Sequence, residues 1–203
     1  MAKNNLNNIF LSASIPNENR DRKYFDTTDV IAIRDSVRAL ATVVIPNSRL
    51  IWGGHPAITP LIHYIMKNMN LNIKDHIKLY QSNYFKQYFP KENEFFEDVR
   101  IIKENKDKDS SLEDMRNEMI NNNDFVAGIF IGGMEGVEIE YNLFKKAHPY
   151  SILLPIASTG AAAKIIYDRI KPKPNERLIN DYAYMSLFRD LLGKYIYNFK
   201  NLI

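Results

Sequence analysis

Six short apolar runs alternate with longer segments that carry apolar residues at helical spacing. Runs of this length, bounded by polar residues, glycine or proline, are typical of buried strands. The segments between them are long enough to be crossover helices, which cover both faces of one sheet. We therefore expect an α/β, Rossmann-like fold with an open, mainly parallel sheet. The predicted strands are 9–13, 49–52, 77–80, 99–102, 125–131 and 151–154.

Capping residues and prolines place the predicted helices. Asp29 is expected to cap a helix over 30–44, and Pro56 to open one that reaches about residue 69. A capping-box pattern at 110–113 predicts a helix that begins there, after a solvated loop over 103–109. The other predicted helices are 137–147, 161–170 and 181–199. The last has an apolar stripe that we expect to pack on the sheet or on a second subunit: Tyr184, Phe188, Leu191, Tyr195 and Phe199.

Composition narrows the class of protein. The chain has 203 residues, of which 45% are hydrophobic, which suits one filled core, so we expect a single domain over 1–203. The net charge of +3 is small and forms no basic stripe among aromatics, which disfavours nucleic acid as a partner. Cysteine is absent, and the histidines have no ligand spacing, so neither a disulfide, a metal site nor a cofactor is predicted. No apolar run is long enough for a secretory signal or a membrane span, and we expect a cytoplasmic protein.

The placement of glycine is the main functional feature. Six of the 8 glycines lie in three loops, each between a predicted strand and a predicted helix: Gly53 and Gly54, then Gly132, Gly133 and Gly136, then Gly160. Such loops meet at the carboxyl edge of an open α/β sheet, where ligands bind. Glycine lets backbone N–H groups approach a phosphate at a helix N-terminus. For one loop an ordinary turn explains the glycine equally well, but three loops favour a nucleotide-like, phosphate-bearing ligand.

Two common phosphate motifs are missing. There is no Gly-x-x-x-x-Gly-Lys-Ser/Thr and no Gly-x-Gly-x-x-Gly after the first strand, which disfavours an ordinary NTPase or dehydrogenase. We expect instead that the three glycine loops converge and direct their amide hydrogens at one anion.

The segment 132–140, Gly-Gly-Met-Glu-Gly-Val-Glu-Ile-Glu, resembles the glycine-rich loop and glutamate of the SLOG superfamily. The helix and strand before it match too, with Arg116, Glu118, Met119 and Asp124 at comparable places. The segments 10–14, 53–58 and 155–160 are similar to other loops of the superfamily, especially in the sensor branch associated with TIR and sirtuin-type antiphage defence. The resemblance covers about residues 9–170. The superfamily includes the Lonely Guy phosphoribohydrolases, whose pattern is Pro-Gly-Gly-x-Gly-Thr-x-x-Glu. The chain departs from this hydrolase pattern by an extra residue between Gly133 and Gly136, by Ile131 in place of proline and by Val137 in place of threonine.

The resemblance implies two functions. The sensor branch implies binding, without turnover, of an NAD-derived nucleotide such as an ADP-ribose or cyclic ADP-ribose species, with a separate TIR or other effector protein as partner. The Lonely Guy branch implies a nucleotide N-glycosidase or phosphoribohydrolase that uses Glu140 and Arg116. We favour the binding protein, because the hydrolase motif is altered. We expect it to be a homo-oligomer, and any effector to be a separate chain.

Individual side chains keep alternative roles. Glu140 lies about one helical turn after Gly136. It can accept hydrogen bonds from ribose hydroxyls or stabilise an oxocarbenium ion. The alternative is a solvated glutamate on the helix surface. Arg116 can bind phosphate or be a surface arginine. His55 can contact a phosphate or a base. The aromatic segment 84–96 either covers the crevice or belongs to the core or an interface, and we favour the latter.

The hydroxyls at the strand ends have turn and capping roles as alternatives. The full set of predicted ligand-binding residues is Ser12, Ala13, Ser14, Gly53, Gly54, His55, Pro56, Ser82, Arg116, Gly132, Gly133, Met134, Glu135, Gly136, Glu140, Ser158, Thr159 and Gly160.

Overall fold

A computed structural model describes residues 6–69 and 74–197. Its centre is a six-stranded sheet in which every neighbouring pair is parallel, in the order β4-β3-β2-β1-β5-β6. The predicted Rossmann-like α/β fold is confirmed. The strands are β1 Asn8–Ser14, β2 Arg49–Trp52, β3 Ile77–Ser82, β4 Val99–Ile102, β5 Ala127–Gly132 and β6 Ile152–Ile156.

Helices cover both faces of this sheet. They are α1 Arg22–Phe25, α2 Val30–Val44, α3 Thr59–Lys67, α4 Lys108–Asn121, α5 Glu135–Ala147, α6 Ala161–Arg169, α7 Arg177–Asn180 and α8 Tyr184–Ile196. One buried cluster joins α2, α3 and α8 to the sheet, and the other joins α4, α5 and α6 to it. Alternation along β1 explains the division, because Ile9 and Leu11 belong to the first cluster and Phe10 to the second.

The order of the strands creates a switch point between β1 and β5. The chain builds outward from β1 to β4, then returns through α4 to place β5 on the other side of β1. The register pairs Ser14 with Gly132, so both strands end at the same level. Connections leave β1 and β5 in opposite directions there, which opens a crevice at the carboxyl edge.

Several predicted helix boundaries are wrong. The helix predicted from residue 110 begins at Lys108, inside the predicted loop, because Asp107 accepts from the Ser110 N–H at 2.8 Å and Ser110 Oγ accepts from the Asp107 N–H at 3.2 Å. Pro56 lies in a turn before α3, whose first turn holds Pro60 instead. The last helix, predicted from residue 181, begins at Tyr184 of α8, and the short helix α7 before it was not predicted; Phe199 lies outside the described residues.

The apolar stripe of α8 packs inside the domain. Tyr184, Leu187, Phe188 and Leu192 are buried in the same cluster as α2, so this helix covers one face of the sheet. Within residues 6–69 and 74–197, no helix combines the length and the apolar character that crossing a membrane requires.

Candidate functional site

The crevice between β1 and β5 is shaped by two glycines with positive φ. Gly132 has φ +54° and Gly133 φ +82°, and a Cβ on Gly133 would lie 2.2 Å from Val137 Cγ2. Only glycine fits this tight turn into α5. The Gly133 N–H donates to the Ser14 carbonyl oxygen at 2.8 Å, which ties the two loops together across the crevice.

A buried polar cluster lies beneath this turn. Ser12 Oγ donates to Glu140 Oε2 at 2.5 Å, and Arg116 Nε donates to Glu140 Oε1 at 3.1 Å. The Arg116 and Glu140 side chains are only 12% and 14% exposed. The structure therefore joins three predicted site residues from β1, α4 and α5.

Gly136 makes room for the arginine. A Cβ on Gly136 would lie 2.9 Å from Arg116 Nη2, so the guanidinium lies against the first turn of α5. That turn has no side-chain cap: Met134 occupies the N-cap position without a capping hydrogen bond from any described residue. The positive end of the helix dipole and the arginine are thus side by side. An anion bound there would meet both.

The second glycine loop contacts α4 beside Arg116. A Cβ on Gly53 would lie 3.2 Å from Met115 Cε. Gly54 has φ +53°, and a Cβ on it would clash with the Gln81 side chain. The Ala57 N–H donates to His55 Nδ1 at 3.2 Å, which places the ring proton of the neutral imidazole on Nε2. Within the part of the chain that is described, Nε2 has no hydrogen-bond partner, and it can donate to a ligand.

We predict that His55 makes stability depend on pH. Burial lowers the pKa of folded His55 from 6.5 to about 4, so the unfolded chain takes up more protons between these values. The free energy of unfolding should therefore fall as the pH drops through that window, by about 1–2 kcal/mol for this partly exposed residue. Urea unfolding of the wild type and of His55→Gln at pH 7 and pH ~4.5 isolates the effect. Identical losses in the two proteins would contradict it.

The third loop is closed. Ser158, Thr159 and Gly160 are buried, and their polar atoms bond within the protein. Ser158 Oγ lies 3.0 Å from the Tyr184 hydroxyl, and Thr159 Oγ1 accepts from the Gly132 N–H at 2.9 Å. The Gly160 N–H donates to the Ala157 carbonyl oxygen at 3.0 Å.

The expectation that the glycine amides point at one anion is therefore wrong for Gly132, Gly133 and Gly160. Each of these N–H groups donates to another atom of the protein. Thr27, which the sequence did not suggest, explains the closure: its Oγ1 accepts from the Ala161 N–H at 2.9 Å and so caps α6. The N–H groups of Glu135 and Gly136, at the start of α5, have no hydrogen-bond partner among the described residues.

The other predicted residues lie around this edge. Ala13 and Ser14 are half-buried at the end of β1, while Pro56 and Glu135 are exposed. Ser82 is buried at the end of β3, where its Oγ accepts from the Tyr84 N–H at 3.3 Å, so its hydroxyl has the alternative capping role.

The aromatic segment divides between core and surface. Phe96 is buried and meets the Trp52 ring edge-on at 5.3 Å, and Phe95 stacks on His63 at 4.4 Å. Tyr84 and Tyr88 are exposed. The segment is therefore anchored on β2 and α3.

Gln81 was missed by the sequence analysis. It is 4% exposed at the carboxyl end of β3, and its Nε2 has no hydrogen-bond partner among the described residues. A polar residue within an apolar run was the available signal. Within the same residues, no group of three or more histidine, cysteine, aspartate or glutamate residues could hold a metal ion.

Comparison with known proteins identifies the family. The model of the SLOG cluster3 family matches residues 23–192. The chain belongs to this family. The predicted membership of the SLOG superfamily is thereby confirmed, and the family together with the fold fits a nucleotide-related function. No curated protein matches the chain.

One solved structure supports the fold of this SLOG cluster3 protein. The X-ray structure of the structural genomics target TM1055 is similar with a TM-score of 0.50 and 12% identity, over 85% of this chain and 89% of that one. At this identity the likeness concerns the Rossmann-like fold alone.

Proposed function

We propose that this SLOG protein binds a nucleotide-derived small molecule in the crevice between β1 and β5. The expected ligand is NAD-derived, such as an ADP-ribose or cyclic ADP-ribose species. The observation that carries the proposal is the position of Arg116 against Gly136, at the uncapped first turn of α5. A helix N-terminus and a guanidinium together favour a phosphate.

The hydrogen-bonding capacity of Arg116 supports this role. Its Nε is bonded to Glu140, whereas its Nη groups have no hydrogen-bond partner in the described ranges. The remaining N–H donors form one edge of a planar fork, which matches two phosphate oxygens. Glu140 keeps the guanidinium in place and, with its remaining lone pairs, can accept from a ribose hydroxyl. His55 Nε2–H supplies a neutral donor from the neighbouring loop.

A titration tests the binding. We expect heat or a thermal shift when the purified protein meets ADP-ribose, cyclic ADP-ribose isomers or nucleoside monophosphates. Arg116→Lys keeps the positive charge beside Glu140 but loses the fork, so affinity should fall about tenfold or more. Arg34→Lys, at an exposed position of α2, is the matched control and should bind as the wild type does. The absence of binding by all of these compounds would contradict the proposal.

The alternative is a nucleotide N-glycosidase or phosphoribohydrolase. It is favoured by the direct contact of the two candidate catalytic residues, Arg116 and Glu140, at 3.1 Å. The carboxylate, fixed by Ser12, would stabilise the positive charge that develops on the sugar as the N-glycosidic bond breaks. Release of free base from a nucleoside 5′-monophosphate, abolished in Glu140→Gln, would establish the enzyme. Intact nucleotide after long incubation, with measurable binding, would establish the binding protein.

The biological setting is part of the proposal. We infer a cytoplasmic, single-domain, homo-oligomeric protein that senses or sequesters its ligand, in antiphage signalling, with a TIR or other effector on a separate chain. Size-exclusion chromatography with light scattering, and co-purification with and without ADP-ribose, test the assembly and the partner.

A further inference from the structure

A second cleft, of about 370 Å³, lies between α5 and α6. One wall is formed by α5, where Lys145 lies four residues after Tyr141 and three after Asn142, about one helical turn. The other wall is the end of α6, with Ile166 and the following Lys171 among its residues. The cleft contains none of the residues assigned to the crevice between β1 and β5.

The Tyr141 hydroxyl lacks a protein partner. Tyr141 is 7% exposed, lines the cleft, and meets the Phe130 ring edge-on at 5.1 Å. Across residues 6–69 and 74–197 its hydroxyl makes no hydrogen bond. Burial raises the pKa of Tyr141, so at neutral pH the hydroxyl is a donor. The ring is packed in the core, while the hydroxyl opens into the cleft as a free donor that an acceptor entering the cleft can meet.

Positive charge in the cleft is uncompensated. The acid of the cleft, Glu138, is already occupied: the Tyr24 hydroxyl donates to its Oε1 at 2.5 Å, and Arg169 donates to its Oε2. Lys145 and Lys171 form no ion pair or hydrogen bond with any described residue. Both lysines are therefore available to an anion.

The end of α6 does not explain these lysines. Its last carbonyl groups accept from Lys173, whose Nζ lies 2.8 Å from the Asp168 carbonyl oxygen. A cation at a helix C-terminus is favourable, but Lys173 already fills this role. Lys171 and Lys145 face the cleft from opposite walls instead.

We propose that this cleft is a second ligand site, which binds a phosphate monoester with a small apolar body. Lys145 and Lys171 would hold the phosphate, and the Tyr141 hydroxyl and the Asn142 amide would donate to its oxygens. The apolar body would lie on Ile166, beside the phosphate. The volume of the cleft is at the lower end of the range for small-molecule sites, which is roughly 300–1,000 Å³.

An NMR titration of the whole protein tests the site, with phenyl phosphate and inorganic phosphate as probes. Amide resonances of residues 138–145 and 166–171 should shift, and phenyl phosphate should bind more tightly than inorganic phosphate. Tyr141→Phe removes only the hydroxyl and should weaken binding about tenfold. Lys145→Gln should weaken it by a similar factor. Lys146→Gln, at an exposed position outside the cleft, is the matched control and should leave the affinity unchanged.

Other outcomes would overturn the site. Equal affinities of the wild type and Tyr141→Phe, or shifts confined to residues 132–136, would show that the cleft is not where the probe binds. Equal affinities for both probes would remove the apolar body from the proposal. None of these measurements uses a nucleotide or requires Arg116, so failure here is distinguishable from failure of the function proposed for the crevice.

Discussion

Gly160→Ala is expected to lower the free energy of unfolding by about 3 kcal/mol or more. Gly160 has φ +72° and ψ −157°, a region that essentially only glycine adopts. A Cβ there would lie 1.7 Å from the Thr27 carbonyl oxygen. Because the clashing atom belongs to the backbone, no side-chain rotation can relieve the overlap. Moving the loop away would also remove the Thr27 cap from the Ala161 N–H.

Gly193→Ala is the matched control for this experiment. Gly193 lies inside α8, and a Cβ there would have its nearest heavy atom at 3.8 Å, on the Tyr197 ring. Alanine is the better helix former, so stability should rise by about 0.5–1 kcal/mol. Urea unfolding followed by circular dichroism measures both changes. A Gly160→Ala protein as stable as the wild type would show that Thr27 does not close this loop.

The elements that were predicted best are those in which the capping residue and the apolar pattern indicate the same boundaries. For α2, the Asp29 side chain accepts from the Ala32 N–H at 2.8 Å, and the apolar pattern begins directly after it, so the predicted range 30–44 is the observed one. All six strands were found because buried parallel strands are short apolar runs between turn residues.

The start of α4 shows where local signals compete. Asp107 and Ser110 are both good N-cap residues, and the predicted helix start took the serine as the cap. In the structure the two form one capping box with Asp107 as the cap, and the carboxylate is also the better partner for the positive end of the helix. Ser110 contributes from the third helical position. The predicted start of α4 is two residues late because Asp107 and Ser110 were treated as alternative caps, whereas they act together.

The contacts that join the candidate site residues could not be predicted from the sequence. Arg116, Glu140 and Ser12 were each chosen from the sequence, but Ser12 and Glu140 are 128 residues apart, and only the crossover from β4 to β5 brings them together. The closure of the third loop was not predictable. Thr27 belongs to a polar stretch without periodicity, and nothing in its sequence indicates that it packs against Gly160.

Breaking the Arg116–Glu140 pair is expected to destabilise the protein by about 3 kcal/mol from either side. The side chains are 12% and 14% exposed, so each single substitution leaves a charge with little water and no opposite charge beside it. In Arg116→Met the Glu140 carboxylate remains without its guanidinium, and in Glu140→Gln the Arg116 guanidinium remains without its carboxylate. Glutamine retains an acceptor for the Ser12 hydroxyl, so Glu140→Gln changes chiefly the charge.

The double variant separates stability from function. Arg116→Met with Glu140→Gln removes both charges. The double variant should therefore lose less unfolding free energy than the two single variants lose in sum, by about 2 kcal/mol or more. If Arg116 binds the ligand, the recovered protein should still fail to bind ADP-ribose, because the fork at the first turn of α5 is gone. Urea unfolding and calorimetry on all four proteins measure the two quantities. Additive losses of stability would mean that the charges do not interact in solution, and full binding by the double variant would remove Arg116 from the ligand site.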